Sequence, residues 1–432
     1  MLPAIILFAL TYILMLIFGK YRPFIALASG IVFIATGMLP LDQVLGSIDF
    51  NVILMIAGTM GLVALFIESK MPALLADLIM EKVPNVMWAA VSLSLFAGVL
   101  SAFVDNVATV LMIAPIALAI CKKLDTNPVP FIIAVAVSSN LQGAATLIGD
   151  TTAIMLGSAL NMNFMDFFWY NGRPGMFFIV ELGALISALI LAFLFRKERK
   201  KKVDKITKYT KVTDYVPGIL LVAMLLLLIT ASFIPNMPEV TNGTICCVLL
   251  LIGLVYTAIR KKSFKAILAP IKAIDYETIL LLLGLFLVIG GISAQGVIDW
   301  LAQLLVKAGG GNLFLMYTVI VWASVVISAF IDNIPYVATM IPVIGSISAA
   351  LSATMGVDAG TIAIPLYFGL LSGATLGGNC TPIGASANIT GIGILRKEGY
   401  TVKNGDFFKI GIPFTLAAII PAYIIIWLFF GV

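Results

Sequence analysis

Residues 101–115 read SAFVDNVATVLMIAP, and residues 328–342 read SAFIDNIPYVATMIP. Further along, 142–149 read QGAATLIG and 377–384 read GGNCTPIG. In each half a Ser-Ala-Phe-x-Asp-Asn motif comes first and a Gly-rich x-Gly-x-x-Thr-x-Ile-Gly motif follows. Two motifs repeated in the same order at similar spacing mark an internal duplication. Whatever the fold is, it is built twice.

The surroundings of these motifs set the solvent. Of 432 residues, 61% are hydrophobic and 11% charged, against about 25% charged in an ordinary soluble domain. Such a chain has too little polar surface to cover a core in water, so it is an integral membrane protein. Histidine is absent, which excludes His metal sites, His triads and His proton relays. The four cysteines show no metal-ligand spacing. No Walker P-loop occurs, so energy for any transport comes from an ion gradient; a partner ATPase is compatible but not implied.

A bilayer core takes about 20 mostly apolar residues per spanning helix. That ruler gives stretches near 3–18, 22–39, 51–67, 86–102, 107–120, 129–160 and 174–195 in the first half. The second half gives 216–234, 243–260, 277–294, 311–330, 334–350, 361–394 and 408–430. A basic linker, 196–215, separates repeat 1 (1–195) from repeat 2 (216–432). The Asp-Asn motifs predict re-entrant hairpins over 86–120 and 311–350, and the Gly-rich motifs predict broken helices over 129–160 and 361–394. Segments 1–39 and 216–260 lack such motifs and are expected to form a static scaffold.

With five spans and one hairpin per half, the repeats are inverted. Placing the N-terminus outside puts all but Arg173 and Lys307 of the 26 Lys and Arg residues on the cytoplasmic side, as the positive-inside rule requires. The expected location is a prokaryotic cytoplasmic membrane, with both termini outside and the 196–215 loop cytoplasmic. The net charge of +5 therefore points to a membrane surface, not to nucleic acid.

Asp105, Asn106, Asp332 and Asn333 sit in the middle of apolar runs, where an ionisable group facing lipid costs several kcal/mol. Irregular backbone at that depth is tolerated only where it lines a cavity or is buried in protein. Gly143, Gly149, Gly378 and Gly384 are poor helix residues inside helical stretches. Broken helices at matching places in two inverted halves mark a transporter binding site. Carbonyl oxygens of Asn106 and Asn333 suit a hard cation such as sodium, and Thr109, Thr146, Thr381 and Ser386 offer hydroxyls. Asn140, Thr151 and Asn388 flank the same motifs, Asn379 lies within the second, and these four complete the candidate set. A structural reading stands beside this one, because Asp before an apolar run is a good helix N-cap. Asp150 occurs in one half only, opposite Ala385. It is either a substrate or proton group, whose charge is lost on protonation, or a cap on the resumed helix.

The duplicated hairpins and breaks resemble the ion transporter superfamily, and within it the ArsB/NhaD permeases, which include melanosomal P proteins and arsenite permeases. SAFIDNIPYVATMIP and LGGNCTPIGASANITGIGI follow the P-protein-like pattern almost position by position. Where that branch has Ile-Gly-Asp-Pro-Pro-Asn, this chain has Ile148-Gly149-Asp150-Thr151-Thr152-Ala153, which looks more like the sodium/proton antiporters of the family. The resemblance covers essentially the whole chain. It implies an all-α polytopic fold of two inverted repeats, each with five spanning helices plus one re-entrant hairpin and with two broken helices in all, working as an elevator-type homodimer.

The function expected from these readings is secondary active transport, not enzymatic. An intramembrane aspartyl protease would carry Gly-x-Gly-Asp, and Leu147-Ile148-Gly149-Asp150 lacks the first glycine. A passive channel has less use for two unwound sites. The expected substrate is a small inorganic anion or oxyacid, arsenite-like, driven by a sodium or proton gradient. Sodium/proton antiport is the alternative, and a sodium-coupled di- or tricarboxylate symporter the next. The last meets an objection: Asp105, Asp150 and Asp332 are expected at mid-depth with no Lys or Arg beside them, so a carboxylate needs sodium ions to neutralise the site. No cofactor beyond the coupling ion is expected.

Overall fold

The computed structural model describes residues 1–203 and 209–432; residues 204–208 of the basic linker lie outside the described residues. The first half contains α1 (Leu2–Ile17), α2 (Arg22–Ala35), α3 (Val44–Ser47), α4 (Phe50–Glu68), α5 (Met71–Glu81), α6 (Val86–Ser101), α7 (Asn106–Lys123), α8 (Pro128–Gly143), α9 (Thr151–Ala159) and α10 (Met176–Leu194). The second contains α11 (Val216–Ala231), α12 (Thr241–Arg260), α13 (Leu268–Lys272), α14 (Tyr276–Ala294), α15 (Val297–Ala308), α16 (Leu313–Ser328), α17 (Asn333–Met355), α18 (Ala359–Gly377), α19 (Ser386–Lys397) and α20 (Asn404–Phe430). Every helix of the first half has its counterpart in the second, in the same order. The duplication read from two motifs extends to the whole chain.

The caps repeat as well. Asp49 accepts from the Val52 amide at the start of α4, and Asp275 from Thr278 at the start of α14, each at 3.0 Å. Asn85 caps α6 at 3.1 Å and Asn312 caps α16 at 3.0 Å. These side chains satisfy amides that a helix start leaves open.

Among the described residues, eight helices are long and apolar enough to cross a bilayer, or nine if the bent pair α1–α2 counts as one span; that pair turns through 116°. The first hairpin legs, α6 and α16, have 16 residues each. At 1.5 Å per residue they reach about 24 Å, short of the roughly 30 Å hydrocarbon core. Each then reverses within a few residues into α7 or α17. The second legs, of 18 and 23 residues, are themselves among the eight helices long enough to cross. The predicted breaks are present, between Gly143 and Thr151 and between Gly377 and Ser386.

Two features have no counterpart in the sequence reading. The short helices α5 and α15 follow α4 and α14, outside every expected span. Between α9 and α10, strands β1 (Trp169–Tyr170) and β2 (Arg173–Pro174) pair through Asn171-Gly172. Both turn residues have positive φ, 49° and 75°, the conformation that a two-residue hairpin turn needs.

The halves pack on each other. α2 lies against α14, and its symmetry mate α12 against α4. Contact is backbone-close: a Cβ on Gly284 would press directly on the carbonyl carbon of Ala26 and the amide nitrogen of Leu27. Small residues allow this approach, which provides much of the packing between helices in lipid. Separately, α6 and α7 pack on α8, α16 and α17 on α18, and α10 on α20. Outward faces are apolar, as with Ile219, Val222 and Leu226 of α11.

The described parts of the basic linker are tied to the helices. The Val86 amide donates to Lys201 O at 3.0 Å and the Thr210 amide to Asp77 at 2.7 Å. Lys122 pairs with Glu398 at 2.6 Å, and Arg260 with Asp214.

Candidate substrate and ion site

Each hairpin tip ends in an acid that caps its second leg. Asp105 accepts from the Ala108 amide at 3.0 Å, and Asp332 from the Ile334 amide at 3.2 Å. The capping role is therefore real at both positions. It uses one carboxylate oxygen of each.

Asp150 behaves differently. It precedes α9 but makes no side-chain cap. Its Oδ2 accepts instead from Thr152 Oγ1 at 3.0 Å and from Asn333 Nδ2 at 3.3 Å. The unpaired acid of the first break is thus bonded to the hairpin tip of the second half.

The breaks are tied to the hairpin tips in the same way twice. Thr146 donates its hydroxyl to Ala102 O, and Thr381 to Ala329 O. Carbonyl oxygens crowd the glycine that ends each motif. A Cβ on Gly149 would lie 2.6 Å from Gly143 O, 2.7 Å from Ser101 O and 2.9 Å from Ala102 O. On Gly384 it would lie 2.6 Å from Gly378 O, 2.8 Å from Ser328 O and 2.9 Å from Ala329 O. The close approach of these carbonyls explains why each position is a glycine, and Ala102 O and Ala329 O are already engaged by the threonine hydroxyls.

Between the two clusters runs a buried amide chain. Asn106 Nδ2 donates to Asn140 Oδ1 at 3.1 Å; Asn140 Nδ2 donates to Thr375 O at 2.7 Å and Asn379 Oδ1 at 3.1 Å. Asn379 donates back to Val137 O at 2.9 Å. Asn140 and Asn379 are fully buried and join the two halves. Asn106 and Asn333 each spend their amide nitrogen, on Asn140 and Asp150, so each side-chain carbonyl oxygen remains available as a ligand.

Other expected residues divide. Asp105, Gly149, Asp150 and Thr151 line one crevice of about 10 Å³ with Thr59 and Met60 of α4. That is about the volume of one water-sized species, enough for a monatomic ion. Thr109 Oγ1 and Asn388 Oδ1 are buried without a hydrogen-bond partner, although Asn388 donates to Gly378 O at 3.0 Å. Ser386 is exposed, whereas its counterpart Thr151 is buried. The same contrast runs through the break: Ile383 is 61% exposed and Ile148 3%. α4 packs on α9, whereas among the described residues α19 packs on α7 and α8 and makes no comparable packing with α14. Among the described residues the three acids do not close into a single metal-binding group.

One expectation is corrected. The sequence places no basic side chain at the site, yet Arg22 Nη1 lies 3.4 Å from Asp332 Oδ2. Arg22 starts α2, and the sharp turn between α1 and α2 brings it to the second hairpin. Tyr12 of α1 also donates to Pro335 O at 2.8 Å.

Residues 12–365 match the family described as citrate transporter, CitMHS. The chain belongs to the CitMHS family. An uncharacterized transporter of Mycobacterium tuberculosis is 28% identical over 94% of this chain and 93% of its own length. The human P protein is 27% identical over 86% of this chain and 52% of its own length, in keeping with the pattern of the second half. The crystal structure of the Alcanivorax borkumensis YdaH transporter superposes with a TM-score of 0.61 at 12% identity, over 90% of this chain and 88% of that one; it shares the fold. This CitMHS chain is thus a multi-pass membrane transporter of the secondary type.

Proposed function

We propose that this CitMHS chain is a cation-coupled carrier in which sodium or a proton loads the hairpin tips and breaks. The duplicated Asp-Asn hairpin tips carry this reading. Asp105, Asp150 and Asp332 supply the negative charge that a cation needs, and Asn106 and Asn333 supply further oxygens. The cargo in this reading is a small inorganic anion or oxyacid, arsenite-like, held between the tips. The alternative without anionic cargo is sodium/proton exchange at the same acids.

A second reading is favoured by the family match: a carboxylate of the citrate class. Three carboxylates against one guanidinium repel such a substrate unless cations accompany it, so this reading also requires coupling. Helices α1, α2, α4, α11, α12 and α14 would form the scaffold, and the hairpins with α8, α9, α18 and α19 the moving unit of an elevator. A homodimer built on the scaffold fits the apolar outer faces of α11 and α12. The basic linker is assigned to the cytoplasm.

The test is uptake into proteoliposomes under an imposed sodium or proton gradient, with arsenite, phosphate and citrate as cargo. Gradient-driven accumulation, with counterflow of label against unlabelled cargo, is the expected result. Flux that only follows the cargo's own gradient, without counterflow, would make the protein a channel.

A further inference from the structure

The charge balance of the site poses a problem that Arg22 resolves. Asp105 and Asp332 sit at the hairpin tips, Asp150 shares a crevice with Asp105, and Asp150 is bonded to Asn333, the residue after Asp332. An anion entering this ground needs a fixed positive group. We propose that Arg22 is the anion-binding residue of the transporter, and that Asp332 occupies its guanidinium only while no anion is bound. This deepens the reading above and rests on it.

Three observations carry the assignment. First, the Arg22–Asp332 contact is single and long, at 3.4 Å from one nitrogen to one oxygen. A guanidinium prefers a two-pronged match to a carboxylate or oxyanion, so the pairing leaves its fork under-used. Second, Arg22 is held from behind. Its Nε donates to Met15 O at 3.2 Å, at the end of α1, which fixes the plane of the fork. It also opens α2, a 14-residue helix whose N-terminal end is positively polarised. Third, both partners are half-buried, with side-chain exposures of 27% and 18%. Neither is sealed in the core, yet each is covered enough for its charge to count.

The exchange also couples the two cargoes. Asp332 belongs to a hairpin tip and Arg22 to the joint of two helices outside the hairpins. When an oxyanion takes the guanidinium fork, Asp332 loses its counter-charge at membrane depth. It then needs a cation of its own. Arrival of the anion creates the demand for the coupling ion.

The experiment compares wild type with Arg22→Gln, Arg22→Lys and the pair Arg22→Gln/Asp332→Asn. Thermal stability is followed in titrations of sodium chloride, and of phosphate, arsenate and citrate at fixed sodium. For an anion that stabilises wild type, Arg22→Gln should weaken the apparent affinity by about tenfold or more, the worth of a hydrogen bond to a charged group. Sodium dependence without the anion should persist. Arg22→Lys should fall between, because an ammonium keeps the charge and loses the fork. If the double variant regains the anion response, Arg22 is only a structural partner of Asp332 and the proposal falls. It falls equally if Arg22→Gln responds to the anion like wild type. If wild type responds to sodium but to none of the anions, the anionic-cargo reading falls and takes the proposal with it.

Discussion

Asn333 and Asp150 come from opposite halves of the chain and meet at 3.3 Å, amide to carboxylate. The contact links the one site acid that has no duplicate to a residue that does. It also places Asp150 where its charge is felt by both halves, since Asp105 and Asp332 each act on it electrostatically. Asp150 makes no backbone cap, so replacing it with Asn removes charge without removing a helix start. Asp150→Asn should flatten the pH dependence of transport while leaving sodium dependence mostly intact. Initial rates across mildly acidic to mildly alkaline pH check this; a wild-type-shaped profile would mark Asp150 as structural.

Asn106 and Asn333 differ in what they hold. Asn106→Ala breaks the bond to Asn140 and should cost about 1 kcal/mol of stability, besides weakening the sodium response. Asn333→Ala leaves Asp150 short of a donor and should shift the sodium response more than the stability. Sodium titrations of thermal stability separate the two. Unchanged sodium dependence in both variants would remove the asparagines from the ion sites.

Gly149→Ala and Gly384→Ala each drive a methyl group into three carbonyl oxygens at 2.6–2.9 Å. A β-carbon does not fit there without moving the hairpin tip. Both variants should lose sodium-dependent stabilisation. Gly405→Ala, on the first turn of α20 with open space around it, should behave as wild type and serves as the control.

Assembly is testable through the outer faces of α11 and α12. Single cysteines at exposed Val222 or Leu251, in a background without the native cysteines, should crosslink across protomers in membranes. Crosslinks that form mainly between hairpin tips, for example through Phe330, would contradict a scaffold-based dimer.

The hairpins and breaks are legible in the sequence because Asp, Asn and Gly are costly inside apolar helices, so their repetition stands out from the background. Asn140 and Asn379 are legible as polar residues at depth but not as the chain that joins the halves; nothing local distinguishes an amide that binds cargo from one that binds its symmetry mate. Thr151 and Ser386 occupy equivalent sequence positions, and only the covering of one break by α4 separates them. Arg22 reads as a cytoplasmic surface residue, since a Lys or Arg beside an apolar run usually lies there. Its contact with Asp332 spans most of the chain and depends on the sharp turn between α1 and α2. The helices α5 and α15 are short and amphipathic, below the length that a hydropathy ruler registers.

The uneven covering of the two breaks has a wider meaning once the helix-for-helix correspondence is kept in view. Each half adopts a conformation that the other half's topology can also adopt. If the halves traded conformations, α14 would close over Ile383 and Ser386, and α4 would withdraw from Ile148 and Thr151. The result would be a molecule with the same contacts in mirror order and its opening at the opposite end. If that exchange is the transport step, reagent access to cysteines introduced at 148 and 383 should invert together as cargo is turned over; access that stays fixed at both positions would exclude it.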